Sequence, residues 1–313
     1  MKGEARILDV ELLEEKEILH EIDEWLTLLN WDNGWHYDLD IIWILKSLEK
    51  NNIKPGSTIL DAGAGMGVLQ FILAARGYNV ISLDFAKRSM PTSVLNLFDF
   101  KMEENEVEDE NPYRSFMRFD KGARKEREVS IAKLITFSLK KRFGGARSRF
   151  ITLLNNIKNK KYKGSIKILQ ASFNEIPLES NSVDAVVSIS AIEHNDFDLN
   201  GRAVSEFERI LNNNGVSLVT TSVADQEKSW FHKESMGWCF SEKDINDIFG
   251  ADLIGKYEAV KKRMLSSTVL KKRLSMAYKI SSRNGLPHGD FNKIQYLPVG
   301  IMRKKSLDES RKQ

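Results

Sequence analysis

One stretch, residues 57–67, Ser-Thr-Ile-Leu-Asp-Ala-Gly-Ala-Gly-Met-Gly, limits what this chain can fold into more than any other. Ser57 to Leu60 is short, apolar and β-branched, as suits a buried strand of a parallel sheet. Asp61 follows, then Ala62, Gly63, Ala64, Gly65 and, past Met66, Gly67. From Val68 the spacing of Leu69, Ile72 and Leu73, closed by Gly77, predicts a helix. Strand, glycine loop and helix in that order let a ligand lie against bare backbone where the strand ends. The spacing also excludes ligands. A dinucleotide loop needs Gly-x-Gly-x-x-Gly, whereas here the third glycine comes one residue early and Val68 holds its place. An acidic residue before the loop would repel a phosphate. No Gly-Lys-Ser/Thr follows, which excludes a P-loop.

Further strands are expected at residues 79–83, 165–169, 183–189, 216–221, 252–257 and 296–302, the last antiparallel, with amphipathic helices between them. This is an α/β pattern of seven strands. Two helices precede it, over residues 8–29 and 38–50, joined by an aromatic turn that holds Trp35, His36 and Tyr37. Ser241, with Asp244 three residues on, caps a helix expected to end near Phe249, and residues 260–280 read as one basic amphipathic helix. Some 80 residues separate the second and third strands, where one helix would suffice. That segment has an acidic run from Glu103 to Glu110 and then a basic stretch from Lys121 to Lys163 with helical apolar spacing. The expected domains are therefore N-terminal helices at 1–54, a core at 55–94 and 164–305, a basic helical insertion at 95–163 and a charged tail at 306–313.

Composition is that of a soluble globular chain, 42% hydrophobic and 29% charged. A single cysteine, Cys239, allows no internal disulfide and favours a reducing compartment, with the cytoplasm as the default expectation. No apolar run approaches the roughly 18 residues of a membrane span. No His/Cys cluster has the spacing of a metal site, so none is expected.

Gly63-x-Gly65-x-Gly67 after Asp61 resembles motif I of the class I S-adenosylmethionine (SAM) methyltransferases. The resemblance covers residues 55–222 outside the insertion. It implies a Rossmann-like, mainly parallel sheet, EC 2.1.1 activity, SAM as cofactor and S-adenosylhomocysteine (SAH) as product. It also implies roles. Asp61, Ala62, Gly63, Ala64, Gly65 and Gly67 would line the cofactor. Asp84, ending the second strand, would accept the ribose hydroxyls, and Phe85 would pack on the adenine. Ser172, with Phe173 beside it, stands where the family often has an aspartate for the adenine amino group. Trp35, His36 and Tyr37 would cover the cofactor, unless they are simply the packing of a helix cap.

Ser190-Ala-Ile-Glu193-His194-Asn195 resembles motif IV of small-molecule methyltransferases, in which Glu-His follows the fourth strand beside the transferable methyl. His194 is the first candidate for a general base and Glu193 the second. Both could instead cap the next helix. His36, His232 and His288 stand in reserve. With residues 230–240 and 284–300, this loop resembles a bacterial subgroup that often accompanies cell-surface polysaccharide synthesis. The expected reaction is methyl transfer to a hydroxyl of a small molecule or glycan. The basic insertion would suit an anionic substrate or membrane surface, or else be a solvated face. Alternatives are an RNA methyltransferase using that insertion, disfavoured by its few aromatics, and a non-catalytic SAM-binding protein.

Overall fold

The computed structural model describes residues 3–29, 31, 33–88, 90, 92–95, 97–104, 162–233, 235–281 and 291–305. The basic stretch expected to be helical and the turn expected at residues 284–289 lie outside them.

The seven expected strands are β2 (Thr58–Ala62), β3 (Asn79–Asp84), β5 (Ser165–Gln170), β6 (Val183–Ile189), β7 (Leu211–Val223), β10 (Ala251–Ile254) and β11 (Leu297–Lys304). Two more join the same sheet, β1 (Gly3–Ile7) and β4 (Asp99–Glu104). The order across its nine strands is β10-β1-β11-β7-β6-β2-β3-β5-β4. All neighbours are parallel except β11, which is antiparallel to β7 and β1 as expected. The fold class is therefore the mainly parallel α/β sheet that the motifs imply, with nine strands in place of seven.

Both extra strands fall where other structure was expected. β1 lies within the segment read as N-terminal helices, and only Ala5 and Ile7 of its five residues are buried, too short an alternation to announce a strand. Past it, Asp9 accepts a hydrogen bond from the Val10 amide at 2.7 Å and starts a short 3₁₀ turn. The helix α1 consequently begins at Lys16 and runs to Leu29, so Leu8, Leu12 and Leu13 lie outside it. β4 lies within the segment expected to be an insertion, but pairs along its whole length with β5. The chain leaves β4 at its carboxyl end and is next described at Tyr162, whose amide donates to the Leu97 carbonyl oxygen at 2.9 Å. Tyr162 stacks on Phe98 and meets Trp25 of α1, so the two ends of the segment meet at one aromatic root.

Helices cover both faces. α2 (Tyr37–Lys50) places Trp43 against Gly300, where a Cβ would stand 2.5 Å from the indole. α5 (Asn200–Ile210) and α6 (Glu242–Phe249) bring Val204, Phe207 and Phe249 against Val219 and Ile301. Successive strand residues point to opposite faces, so Gly300 and Ile301 mark two layers on one sheet. α3 (Leu69–Ala75) completes the first layer, its Phe71 stacked on Trp25, and α4 (Thr92–Leu95) is a single turn leading to β4. Ser241 caps α6 as expected, its hydroxyl accepting from the Asp244 amide at 3.1 Å. The long basic helix is instead two, α7 (Tyr257–Ser266) and α8 (Thr268–Ser281). Ser267 divides them because its backbone is extended and its hydroxyl accepts from the Leu270 amide, which makes it a new N-cap.

Candidate active site

Chain direction locates the site. From β2 the chain steps through β3 and β5 on one side, then crosses back to β6 and β7 on the other. The crevice beyond the carboxyl ends of β2 and β6 is the topological switch point, where open α/β sheets bind ligands. Gly63 joins its walls: a Cβ there would sit 2.4 Å from the Ala191 Cβ in the loop after β6. Gly63 and Gly65 have φ of +71° and +49°, which a side chain would strain.

The glycine loop is held from several sides. The Gly65 amide donates to Asp84 Oδ2 at 2.8 Å, and the Ala86 amide donates to Asp84 Oδ1 at 2.7 Å. Each carboxylate oxygen keeps a further lone pair, so Asp84 fits the ribose hydroxyls of a nucleoside while it holds the loop. The Ala64 amide donates to the Leu83 carbonyl. Asp61 is buried beside them, and burial pushes its carboxyl up to about 7 against the pull of Arg88. Ala62 and Ala64 are buried, and Phe85 is half-buried with its carbonyl taken by Gln170.

Sequence reasoning missed the layer beneath. Gln70 Nε2 donates to the Gly67 carbonyl at 2.8 Å, Ser82 Oγ donates to Gln70 Oε1 at 2.7 Å, and buried Arg88 donates to Gly65 and Ser82. Nothing in the spacing of these residues pointed to a shared role. Ser172 turns into its own loop, accepting from the Asn174 amide at 3.2 Å, while Phe173 lies beside Gly63. Asn174 and Asn195 exchange side-chain hydrogen bonds at 2.8 and 3.0 Å, tying the loops after β5 and β6 together.

The β6 wall is different. Ser190 has φ +43°, rare for a residue with a side chain, and its buried hydroxyl has no hydrogen-bond partner among the described residues. Glu193 is buried and accepts from Thr221 Oγ1 at 3.0 Å; burial pushes its carboxyl up to about 7. His194 Nδ1 meets the Met236 carbonyl at 2.8 Å. A carbonyl only accepts, so this bond places the proton on Nδ1. Burial lowers the His194 imidazole to about 4. Over both residues lies a hairpin of β8 (Trp230–His232) and β9 (Gly237–Cys239), whose Gly237 approaches Glu193 and His194 so closely that a Cβ would meet both at 3.1–3.2 Å.

Trp35, His36 and Tyr37 come to this wall. Trp35 Nε1 donates to the Tyr296 hydroxyl at 3.0 Å, and the His36 ring meets Tyr37 and Tyr296 edge-on. His36 Nδ1 is 2.7 Å from Asp40 Oδ2, both side chains buried. Burial works against the imidazolium, but Asp40 outweighs it and holds His36 above its ordinary range, with a smaller pull from Glu193. Asp40 was a further miss. The reserve His232 ring packs on Tyr296 and its Nδ1 bonds Ser235, whereas His288 lies outside the described residues. Among the described residues no three His, Cys, Asp or Glu side chains are grouped to hold a metal ion.

Residues 149–219, from before β5 into β7, match the family model of a methyltransferase domain. No curated protein matches the chain. Solved structures of similar fold include phosphoethanolamine N-methyltransferase 2 of Haemonchus contortus, held with phosphomonomethylethanolamine and SAH. It is 14% identical over 92% of this chain and 57% of that one, with a TM-score of 0.43. Geranyl diphosphate C-methyltransferase of Streptomyces coelicolor A3(2) is 14% identical over 86% and 84%, with a TM-score of 0.36. The [4+2]-cyclase SpnF is 12% identical over 88% and 84%, with a TM-score of 0.46. The matched residues take in β5, β6 and the loop that carries Glu193, and the glycine loop, with the buried Asp61 and Asp84 behind it, faces Ala191 of that loop. The chain thus carries a match to a methyltransferase domain over residues 149–219, set in a mainly parallel α/β sheet, and this supports SAM-dependent methyl transfer as its activity.

Proposed function

We propose that the enzyme methylates a hydroxyl of a small molecule or glycan, with Glu193 as the proton acceptor. The observation that carries this reading is a carboxyl group buried at the end of β6, held near neutrality by its surroundings and fixed by Thr221. SAM supplies a methyl group already activated on a sulfonium. What remains for the protein is alignment, exclusion of water and proton transfer. Ser190 and the hairpin would frame the acceptor. As the acceptor oxygen bonds the methyl carbon and the S–C bond breaks with its electron pair to sulfur, the acceptor's O–H proton would pass to the Glu193 carboxylate. His194 would then be a positioning residue, since an imidazole lowered to about 4 is a weak base and its Nδ1–H is committed to Met236. This reverses the order in which motif IV suggested the two.

A carbohydrate acceptor, as in the polysaccharide-associated subgroup, is supported by the aromatic hairpin: Phe231 and Trp238 meet edge-on and Phe231 is exposed. The basic residues between Lys121 and Lys163 follow the chain's exit from β4 at the carboxyl edge, and suit capture of an anionic acceptor or an anionic membrane surface. The buried lone Cys239 suits a reducing compartment such as the cytoplasm. Among the described residues no helix is long and apolar enough to cross a membrane. The test is transfer from methyl-tritiated SAM to a panel of glycans, phenols, amines and RNA. Label in an alkali-stable ether on a glycan or phenol supports the reading. Label confined to amines or RNA overturns it.

A further inference from the structure

Arg88 is the buried cation of the cofactor half, and no step of methyl transfer requires it. Its side chain is 6% exposed. Nη1 donates to the Gly65 carbonyl at 3.0 Å and to Ser82 Oγ at 2.8 Å, and Nη2 donates to the Ser82 carbonyl at 2.5 Å. These are uncharged oxygens. The charges that act on the guanidinium are the carboxylates of Asp84 and Asp61. Arginine keeps its proton in any protein environment, so a full positive charge lies under the loop.

The charges can be counted. With Asp61 and Asp84 ionised, the three side chains sum to −1. SAM at neutral pH carries a sulfonium, an ammonium and a carboxylate, a net +1. Its product SAH has lost the sulfonium charge with the methyl group and is neutral. These three side chains and the ligand therefore sum to zero with donor and to −1 with product, so each fixed charge among them weighs differently on the two ligands.

We propose that Arg88 is a specificity-determining residue for the cofactor: its fixed charge sets how far the site prefers SAM to SAH, while its hydrogen bonds hold the glycine loop in place. The two contributions separate experimentally. Calorimetric titration with SAM and with SAH gives a preference ratio, read at about pH 8.5 so that Asp61 is ionised. Arg88→Gln keeps a donor for the Gly65 carbonyl and removes the charge. It raises the preference for SAM by about threefold to tenfold, the scale of one charge acting through a partly screened interior. Arg88→Lys keeps the charge and loses the fork, so both affinities fall and the ratio stays. Asp61→Asn makes the opposite change in charge and lowers the ratio, which keeps the idea open to refutation if the arginine variants fail to fold. A ratio unmoved or lowered in Arg88→Gln, or moved equally in Arg88→Lys, overturns the proposal, as does Asp61→Asn with an unchanged ratio.

Discussion

Under the glycine loop, Gln70, Ser82, Asp84 and Arg88 all find hydrogen-bond partners inside the protein. On the β6 side the Ser190 hydroxyl and the Trp230 indole N–H are buried with none among the described residues, and Glu193 holds a carboxyl near neutrality. A buried polar group without a partner costs roughly 1–3 kcal/mol. The first region has settled its polar groups and waits only for a ligand that fits the bare backbone. The second carries buried polar groups that no described residue satisfies. On the proposed reading the first half holds the cofactor and the second the acceptor, so changes in the two should be read out by different measurements.

The largest effect expected is on the reactive half. Glu193→Gln should lower the single-turnover rate of methyl transfer by about 10²–10⁴-fold, the usual worth of a general base, with SAM affinity nearly intact. The wild-type rate should rise with pH through about 7 as the carboxyl loses its proton, and that rise should vanish in the variant. An equal pH profile in both would return the role to His194 or His36.

Asp84→Ala should act the other way round, weakening SAM by roughly 1–3 kcal/mol in calorimetry with little effect on the rate at saturation. If its rate fell as far as that of Glu193→Gln, the division between the halves would be wrong.

A sharper comparison comes from stability. The Asp61 carboxyl is pushed up to about 7 in the folded chain, so between its unfolded value near 4 and about 7 the folded state holds a proton that the unfolded state has lost. Stability of the ligand-free protein should therefore decline as pH rises through that window. Asp61→Asn should flatten the decline and gain on the order of 1–3 kcal/mol at neutral pH in urea denaturation, while losing SAM affinity. A steeper decline in the variant would contradict it.

The smallest effect expected is at the seam of the two loops. Asn174→Ala removes the reciprocal amide pair with Asn195 and should cost about 0.5–1.5 kcal/mol in thermal melts, without a change in the pH profile.

Local rules made part of this legible. Seven strands were readable as short, largely apolar runs, and Ser241 announced its helix by a capping pattern. The glycine loop was readable because a backbone that must approach a ligand forbids side chains. What escaped was tertiary. β1 and β4 are short, and pairing with strands distant in sequence or order makes them strands. Arg88 looks like any basic residue after a strand, and only the fold turns it beneath Gly65. The surroundings of His194 were not legible either: burial and the Met236 carbonyl, both set by the fold, lower its imidazole to about 4. The partner of the aromatic turn was not legible, because Trp35 and His36 meet Tyr296, from a segment some 260 residues further along.

One consequence of the sheet order concerns the ribosome. Gly3–Ile7 lies between Ala251–Ile254 and Leu297–Lys304, so this strand is translated more than 200 residues ahead of the two that flank it. Synthesis at about 5–20 residues per second leaves that segment without its neighbours for many seconds. Residues 58–223 can assemble the six strands from β2 to β7 while they wait, because those pair among themselves. The nascent enzyme would thus emerge as a partial sheet whose β7 edge stays open until translation nears residue 304. Such an edge invites pairing with another chain, and chaperone demand during synthesis would concentrate in that interval.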